Sequence, residues 1–184
     1  MANLISFIRM LLALWLCVSL TLSGADFYSL AFWLTVLIIW MDGWDGYVAR
    51  LLKETSKAGA VIDILCDRVV EQAYWITFAV LGWVPLWMVL VVITRGVLVD
   101  GLRSLALEAG YTAFGSSTLM RHPLGVLLVS SRFSRWSYAV LKAAAFALLI
   151  IAHDPEWAWL QPAADACVWG TLVFCVLRGL PVLI

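Results

Sequence analysis

Asp42, Asp45, Asp63 and Asp67 lie in the stretch MDGWDGYVARLLKETSKAGAVIDILCD, inside a chain that is otherwise largely apolar. Asp42, Asp45, Gly46, Ala49 and Arg50 recur at i, i+3, i+4, i+7 and i+8, which at about 100° per residue gathers them on one stripe of a helix. Gly59, Asp63 and Asp67 recur at i, i+4 and i+8, again on one face. An antiparallel pair of such helices can point both faces into one cavity. Carboxylates clustered at membrane depth repel one another and are costly unless paired, so the site calls for positive charge. Hard divalent cations, Mg²⁺, Mn²⁺ or Ca²⁺, meet that need, because they prefer oxygen ligands and the set contains neither His nor Cys. Two such ions can share these carboxylates. Gly46, Ala49 and Gly59 keep both faces low enough for a bulky ligand to reach the backbone, and Arg50 offers a fork for phosphate.

Plainer roles fit some of these residues. Gly and Ala on a helix face serve packing, and a transmembrane Asp can be a structural hydrogen bonder or a station on a cation or proton path. A path needs neither Arg50 nor the glycines at these spacings. It also needs acidic residues through the far half of the membrane, where the apolar runs have almost none.

The elements that must position the site follow from composition and periodicity. With 64% hydrophobic residues, 13% charged ones and 11 tryptophans, the chain has more apolar surface than a soluble domain could hide. Apolar runs at about 5–23, 30–52, 60–81, 86–107, 136–152 and 165–183 predict six transmembrane helices of about 20 residues each. Loop-forming residues separate them, in GADFYS, KETSK, GWVP and HDPEWAWLQPAAD, and the longest connection runs from Glu108 to Arg135. The expectation is an all-α, polytopic integral membrane protein forming a single domain over residues 1–184, with the first apolar run retained as a helix rather than removed as a signal peptide.

Orientation follows from the basic residues. The connections around 24–29, 82–85 and 153–164 contain no Lys or Arg but hold Asp26, Asp154 and Glu156, whereas all 12 basic residues, among them Arg9, Arg50, Lys53, Lys57, Arg103, Arg121, Arg132, Arg135 and Arg178, fall in the termini, the other loops or the helices joining them. Both termini are therefore expected in the cytoplasm. A formal net charge of zero gives no reason to expect nucleic acid, and the basic residues suit anionic headgroups or phosphorylated ligands. Cys17, Cys66, Cys167 and Cys175 are dispersed and read as packing residues. Neither His122 nor His153 has a partner at zinc-ligand spacing.

The segment DGWDGYVAR, eight residues, then GAVIDILCD resembles the signature of the CDP-alcohol phosphotransferase family, DxxDGxxAR, eight residues, GxxxDxxxD, at every specified position. NLISFIR near the start is similar to that family's NxLTxxR segment, with Asn3 and Arg9 retained and Ser6 in place of the threonine. The resemblance implies a six-helix membrane enzyme of phospholipid biosynthesis. Such an enzyme transfers a phosphatidyl group from CDP-diacylglycerol to a polar alcohol and releases CMP at the cytoplasmic face, in a bacterium at the inner membrane. It implies Mg²⁺ or Mn²⁺, two ions, on Asp42, Asp45, Asp63 and Asp67, with Asp67 also the base. It further implies a CDP-lipid pocket at Gly46, Ala49, Arg50 and Gly59 with Asn3 and Ser6, and suggests a homodimer.

For the acceptor, TRGVLVDGLRSLALEAG resembles the RExxxSGLRE region of phosphatidylglycerophosphate synthases, which use glycerol 3-phosphate; Arg95 and Arg103 match, Gly96 and Asp100 do not. SRWSYAVLK echoes that subgroup's GKxKTxxQ segment only in part. Arg95, Arg103, Arg135, Lys142 and Arg178 are candidates for an acceptor phosphate, or else ordinary positive-inside anchors. Inositol phosphate, inositol and serine are the alternative acceptors.

Overall fold

A computed structural model of the chain describes residues 2–51, 57–108 and 132–183. Among the described residues there is no strand. Long helices stand where the apolar runs lie: α1 (Ala2–Leu22), α2 (Tyr28–Leu51), α3 (Lys57–Val80), α4 (Leu86–Glu108), α5 (Arg132–Ala152) and α6 (Gln161–Leu183). Each has 21 to 24 residues, enough at about 1.5 Å rise per residue to cross the hydrocarbon of a bilayer. The described residues are thus those of an all-helical integral membrane protein.

Composition separates these helices into two kinds. Four segments, Leu4–Leu22, Ala25–Gly43, Phe133–Ala152 and Pro155–Leu180, are both long and apolar enough to span a membrane. Helices α3 and α4 match them in length but carry Asp63, Asp67, Arg68 and Glu71, and Arg95, Asp100 and Arg103. The charges that build a site are what remove these two helices from the apolar class.

Helix α1 packs on α2 and α3, α2 also on α5, α5 on α6, and α4 on α6 and α3. Tyr74, Trp75 and Phe78 of α3 are almost fully buried. They gather around Phe146 of α5, which stacks on Tyr74 at 4.9 Å and meets Trp75 and Phe78 edge-on at 5.5 and 5.6 Å. Small residues with no exposed surface, Ala13, Ala31, Ala145 and Ala164, allow close helix approach, the main device of packing where lipid is as apolar as the core. The buried Thr35 and Tyr74 hydroxyls share a hydrogen bond of 3.0 Å between α2 and α3. Leu22, Val80, Phe133 and Trp159 point outward, as lipid-facing residues do. All four cysteines are free thiols, and Cys17, Cys66 and Cys175 are buried in packing positions.

The end of the bundle without basic loops is closed by local structure. Asp154 caps a 3-10 turn, Pro155–Leu160, by accepting a hydrogen bond from the Glu156 amide at 3.1 Å, so the stretch read as an open loop is helical and leads directly into α6. His153 stacks on Trp83 at 4.0 Å, and its Nδ1 lies 2.7 Å from the Leu149 carbonyl, a packing role rather than a ligand's. Trp157 and Trp159, with ring centroids 6.3 Å apart and both exposed, belong to the same 3-10 turn, as suits residues at a membrane interface.

Helix α3 ends in a Schellman turn. The Gly82 amide bonds the Ala79 carbonyl at 3.0 Å, the Trp83 amide bonds the Phe78 carbonyl at 2.8 Å, and Gly82 has φ 73°. An added Cβ at Gly82 would meet nothing within 4 Å, so any cost of substitution is conformational. Gly82→Ala should therefore lower stability by about 1 kcal/mol, read by thermal unfolding in detergent, without changing the bundle.

Candidate functional site

Three helices bring their polar faces together at the end of the bundle where α1 starts, α2 ends and α3 starts. Helix α1 supplies Ser6 and Arg9, one turn apart and both buried. Arg9, only 3% exposed, divides its guanidinium fork: Nη1 donates to Asp42 of α2 and Nη2 to Asp67 of α3. Both carboxylates stay about half exposed, at 53% and 46%. Ser6 Oγ donates to Asp63 Oδ1 at 3.1 Å. Asp42 of the stripe expected on α2, and Asp63 and Asp67 of the one expected on α3, thus meet through α1.

Ser6, Asp42, Asp63 and Asp67 are the expected site residues that this geometry connects, and Gly59 is buried on the same face of α3. For Asn3, Asp45, Gly46, Ala49, Arg50 and Arg103 the helical backbone alone is described, so their side chains lie outside the described residues, as do the segments 52–56 and 109–131. Among the described residues no three His, Cys, Asp or Glu side chains are close enough to hold a metal ion. The donor set nevertheless fits a hard cation. Two carboxylates from different helices already share one cationic group, and all their ligand atoms are oxygens.

From this cluster a cavity of about 400 Å³ extends between α1, α2, α3 and α5. Arg9, Asp42, Asp67, Glu71 and Lys142 give it a polar side, and Ile38, Tyr74, Trp136, Val140 and Phe146 an apolar one. Such a two-sided cavity suits an amphiphile with a charged head.

One turn beyond Asp67 a second polar tier begins. Glu71, with its side chain 7% exposed, accepts hydrogen bonds from Arg68 Nη1 at 3.2 Å and from the Tyr138 hydroxyl at 3.2 Å, and pairs with Lys142 Nζ at 3.1 Å. Arg68 also grips Asp100 of α4, Nε to Oδ2 at 2.7 Å and Nη2 to Oδ1 at 2.9 Å, a fork-to-fork pair. Lys142 and Arg178 lie over the Tyr138 ring at 5.6 and 5.3 Å. Arg95 crosses Gly179, where an added Cβ would come within 2.9 Å of its stem. The Arg95 Nε is buried with no hydrogen-bond partner among the described residues. The structure therefore brings Lys142, Arg178 and Arg95 of the expected acceptor residues into one region, while Arg135 is exposed in the first turn of α5.

Comparison with known proteins decides the class of this arrangement. The family model for CDP-alcohol phosphatidyltransferase matches residues 1–177. The chain belongs to that family. The segment that resembles the family's signature, residues 42–67, begins near the end of α2 and finishes in α3, and Arg9 joins its Asp42 to its Asp67. A Mycobacterium tuberculosis protein provisionally named a cardiolipin synthase is 29% identical over 142 residues, covering 73% of this chain and 62% of the relative. The CDP-diacylglycerol–glycerol-3-phosphate 3-phosphatidyltransferase of Bacillus subtilis is 28% identical over 138 residues, covering 75% and 63%. The chain spans less than two thirds of the length of these curated relatives.

Sequence reasoning placed Arg9 among retained positions and topogenic charges rather than in the site, and did not single out Arg68, Glu71 or Tyr138. A signal was present for Glu71, because it continues the i, i+4 series of Asp63 and Asp67 by one more turn. Arg9→Met should leave Asp42 and Asp67 facing each other without their shared cation. The expected loss in the metal-free protein is about 1–2 kcal/mol, kept modest by the solvent exposure of both carboxylates, and thermal unfolding in the presence of a chelator measures it.

Proposed function

We propose that the protein is a metal-dependent phosphatidyltransferase that moves the phosphatidyl group of CDP-diacylglycerol to glycerol 3-phosphate and releases CMP. The observation that carries this reading is the cavity with Asp42 and Asp67 at one end and Lys142 further in, bounded on its other side by apolar residues. In this reading one membrane domain of six spans has both termini in the cytoplasm of a bacterium and the site facing that side.

Asp42, Asp45, Asp63 and Asp67 would hold two Mg²⁺ or Mn²⁺ ions. When bound, these neutralise the diphosphate and stabilise charge on departing CMP. Gly46, Ala49 and Gly59 leave room for the nucleotide, while Arg50, Asn3 and Ser6 offer polar contacts to the CDP-lipid. Arg9, whose Nε is buried without a partner among the described residues, keeps a donor for a phosphate oxygen. Asp67 takes the acceptor hydroxyl's proton. The freed oxygen bonds the phosphorus on the diacylglycerol side, and the bond from that phosphorus to the CMP phosphate oxygen breaks. The apolar cavity wall lodges the lipid portion and limits water.

A phosphorylated acceptor is favoured by charge. Among the described residues of the second tier, Arg68, Arg95, Lys142 and Arg178 outnumber the carboxylates Glu71 and Asp100. That excess suits a phosphomonoester dianion, with Arg103 and Arg135 as further candidates toward the cytoplasmic end. The relative named as a cardiolipin synthase supports a second reading, in which phosphatidylglycerol, with one negative charge, is the acceptor.

Purified protein given CDP-diacylglycerol, Mg²⁺ or Mn²⁺ and single acceptors should release CMP with glycerol 3-phosphate. Release instead with phosphatidylglycerol, inositol phosphate, inositol or serine would replace the acceptor and keep the reaction class. Ion flux in liposomes without CMP formation would replace the class itself. Asp67→Asn should lower turnover about 10²–10⁴-fold while retaining Mn²⁺ binding better than Asp42→Asn; wild-type turnover in Asp67→Asn would remove it as base.

A further inference from the structure

We infer that Glu71 is a positioning residue for the acceptor end of the site: it fixes Lys142 and Tyr138 so that the Lys142 ammonium faces the acceptor's phosphate. This rests on the phosphotransfer reading above and adds a residue outside the aspartate signature. Glu71 is one helical turn from Asp67, about 6 Å along the axis of α3, and lines the same cavity. That separation is one a short phosphorylated alcohol bridges, with its hydroxyl at Asp67 and its phosphate toward Lys142.

The geometry gives Glu71 three partners and little solvent. Its carboxylate, 7% exposed, meets Lys142 Nζ at 3.1 Å, the Tyr138 hydroxyl at 3.2 Å and Arg68 Nη1 at 3.2 Å. An ammonium at this depth needs a counter-charge, and the carboxylate supplies it while using one of three N–H donors. The remaining donors are free to meet an anion in the cavity that Lys142 lines. Arg68 does not depend on Glu71 in the same way, because its fork is held by both oxygens of Asp100 at 2.7 and 2.9 Å. Neutralising Glu71 therefore releases Lys142 and Tyr138 but leaves the α3–α4 tie in place. That difference separates a positioning role from a purely structural one.

The test uses full-length protein in detergent with CDP-diacylglycerol and glycerol 3-phosphate, or whichever acceptor the wild-type protein uses. Glu71→Gln should raise KM for the acceptor about tenfold, the loss of one charge-assisted contact. KM for CDP-diacylglycerol and turnover at saturating acceptor should stay within about twofold, a shift too small to mark a lost interaction. Glu71→Asp should recover part of the acceptor KM. Because Glu71 acts through Lys142, Glu71→Gln combined with Lys142→Gln should be no worse in acceptor KM than Lys142→Gln alone. An unchanged acceptor KM in Glu71→Gln, or additive effects in the double variant, overturns the inference. So does a parallel loss of donor KM, turnover and thermal stability. Should Glu71→Gln not fold, Tyr138→Phe, which removes one Glu71 partner, must raise acceptor KM selectively; no such rise sinks the proposal. A wild-type protein that releases CMP with no acceptor overturns the phosphotransfer reading, and Glu71's role with it. Acceptor-dependent wild-type release beside an indifferent Glu71→Gln overturns Glu71's role alone.

Discussion

The Arg9 fork is the interaction on which the rest of the arrangement depends. A buried guanidinium on α1 is tolerable because Asp42 and Asp67 receive it, and those carboxylates are tolerable beside each other because it stands between them. Neither side of the bargain works alone in a chain surrounded by lipid. The consequence is geometric: α2 and α3, adjacent in sequence, are held with their aspartate faces toward a common point by a third helix. Ser6, one turn before Arg9, repeats the α1–α3 tie through Asp63.

Helix α3 acts as the polar spine of the molecule. Its Asp63 and Asp67 look toward α1 and α2, while Arg68, the next residue, and Glu71, one turn further, look toward α4 and α5. Arg178 of α6 joins by lying over Tyr138. Beyond this tier the same helix carries no charged residue, and Tyr74, Trp75 and Phe78 build the aromatic core with Phe146. Lipid gives no hydrophobic drive for helix association, so packing of rings and small residues and pairing of charges must share that work. The packed core gives α3 a fixed depth and rotation, and those two parameters determine where its carboxylates stand.

Much of this was legible in the sequence because helical spacing is a strong constraint. The apolar runs predicted helices that lie close to α1 through α6, and the i, i+3, i+4 pattern placed Asp42 and Asp67 on facing stripes. The helices α3 and α4 were less legible as spans, since seven charged residues, Asp63, Asp67, Arg68, Glu71, Arg95, Asp100 and Arg103, interrupt them. What spacing could not supply was partner choice. Nothing local in NLISFIR says that Arg9 will bridge two other helices rather than anchor a terminus, and nothing in SRWSYAVLK says that Lys142 will find Glu71. Those pairings depend on how helices far apart in the chain pack, which periodicity within one helix does not encode. The Asp154-capped turn was missed for a different reason: its Pro, Trp and Asp residues signal a break in a long helix, and a short 3-10 helix fits inside such a break.

Fold and site are therefore not separable here in the way they are when catalytic loops sit on an independent scaffold. A soluble enzyme can place acidic residues on loops and let water carry their charge. In a membrane the same residues must be carried on helices, where each charge requires a partner on a neighbour. The long helices among the described residues then divide by composition: α1, α2, α5 and α6 hold the spans that remain apolar enough to meet lipid, and α3 and α4 concentrate charge. The two charged helices also pack on each other, through Arg68 and Asp100, while α1 covers α3 and α6 covers α4. Pairing charge with charge and covering the rest with apolar helices keeps the polar groups inward, beside the cavity between α1, α2, α3 and α5. A substrate with an anionic head and an apolar tail matches that cavity for the same physical reason that the helices assemble around it.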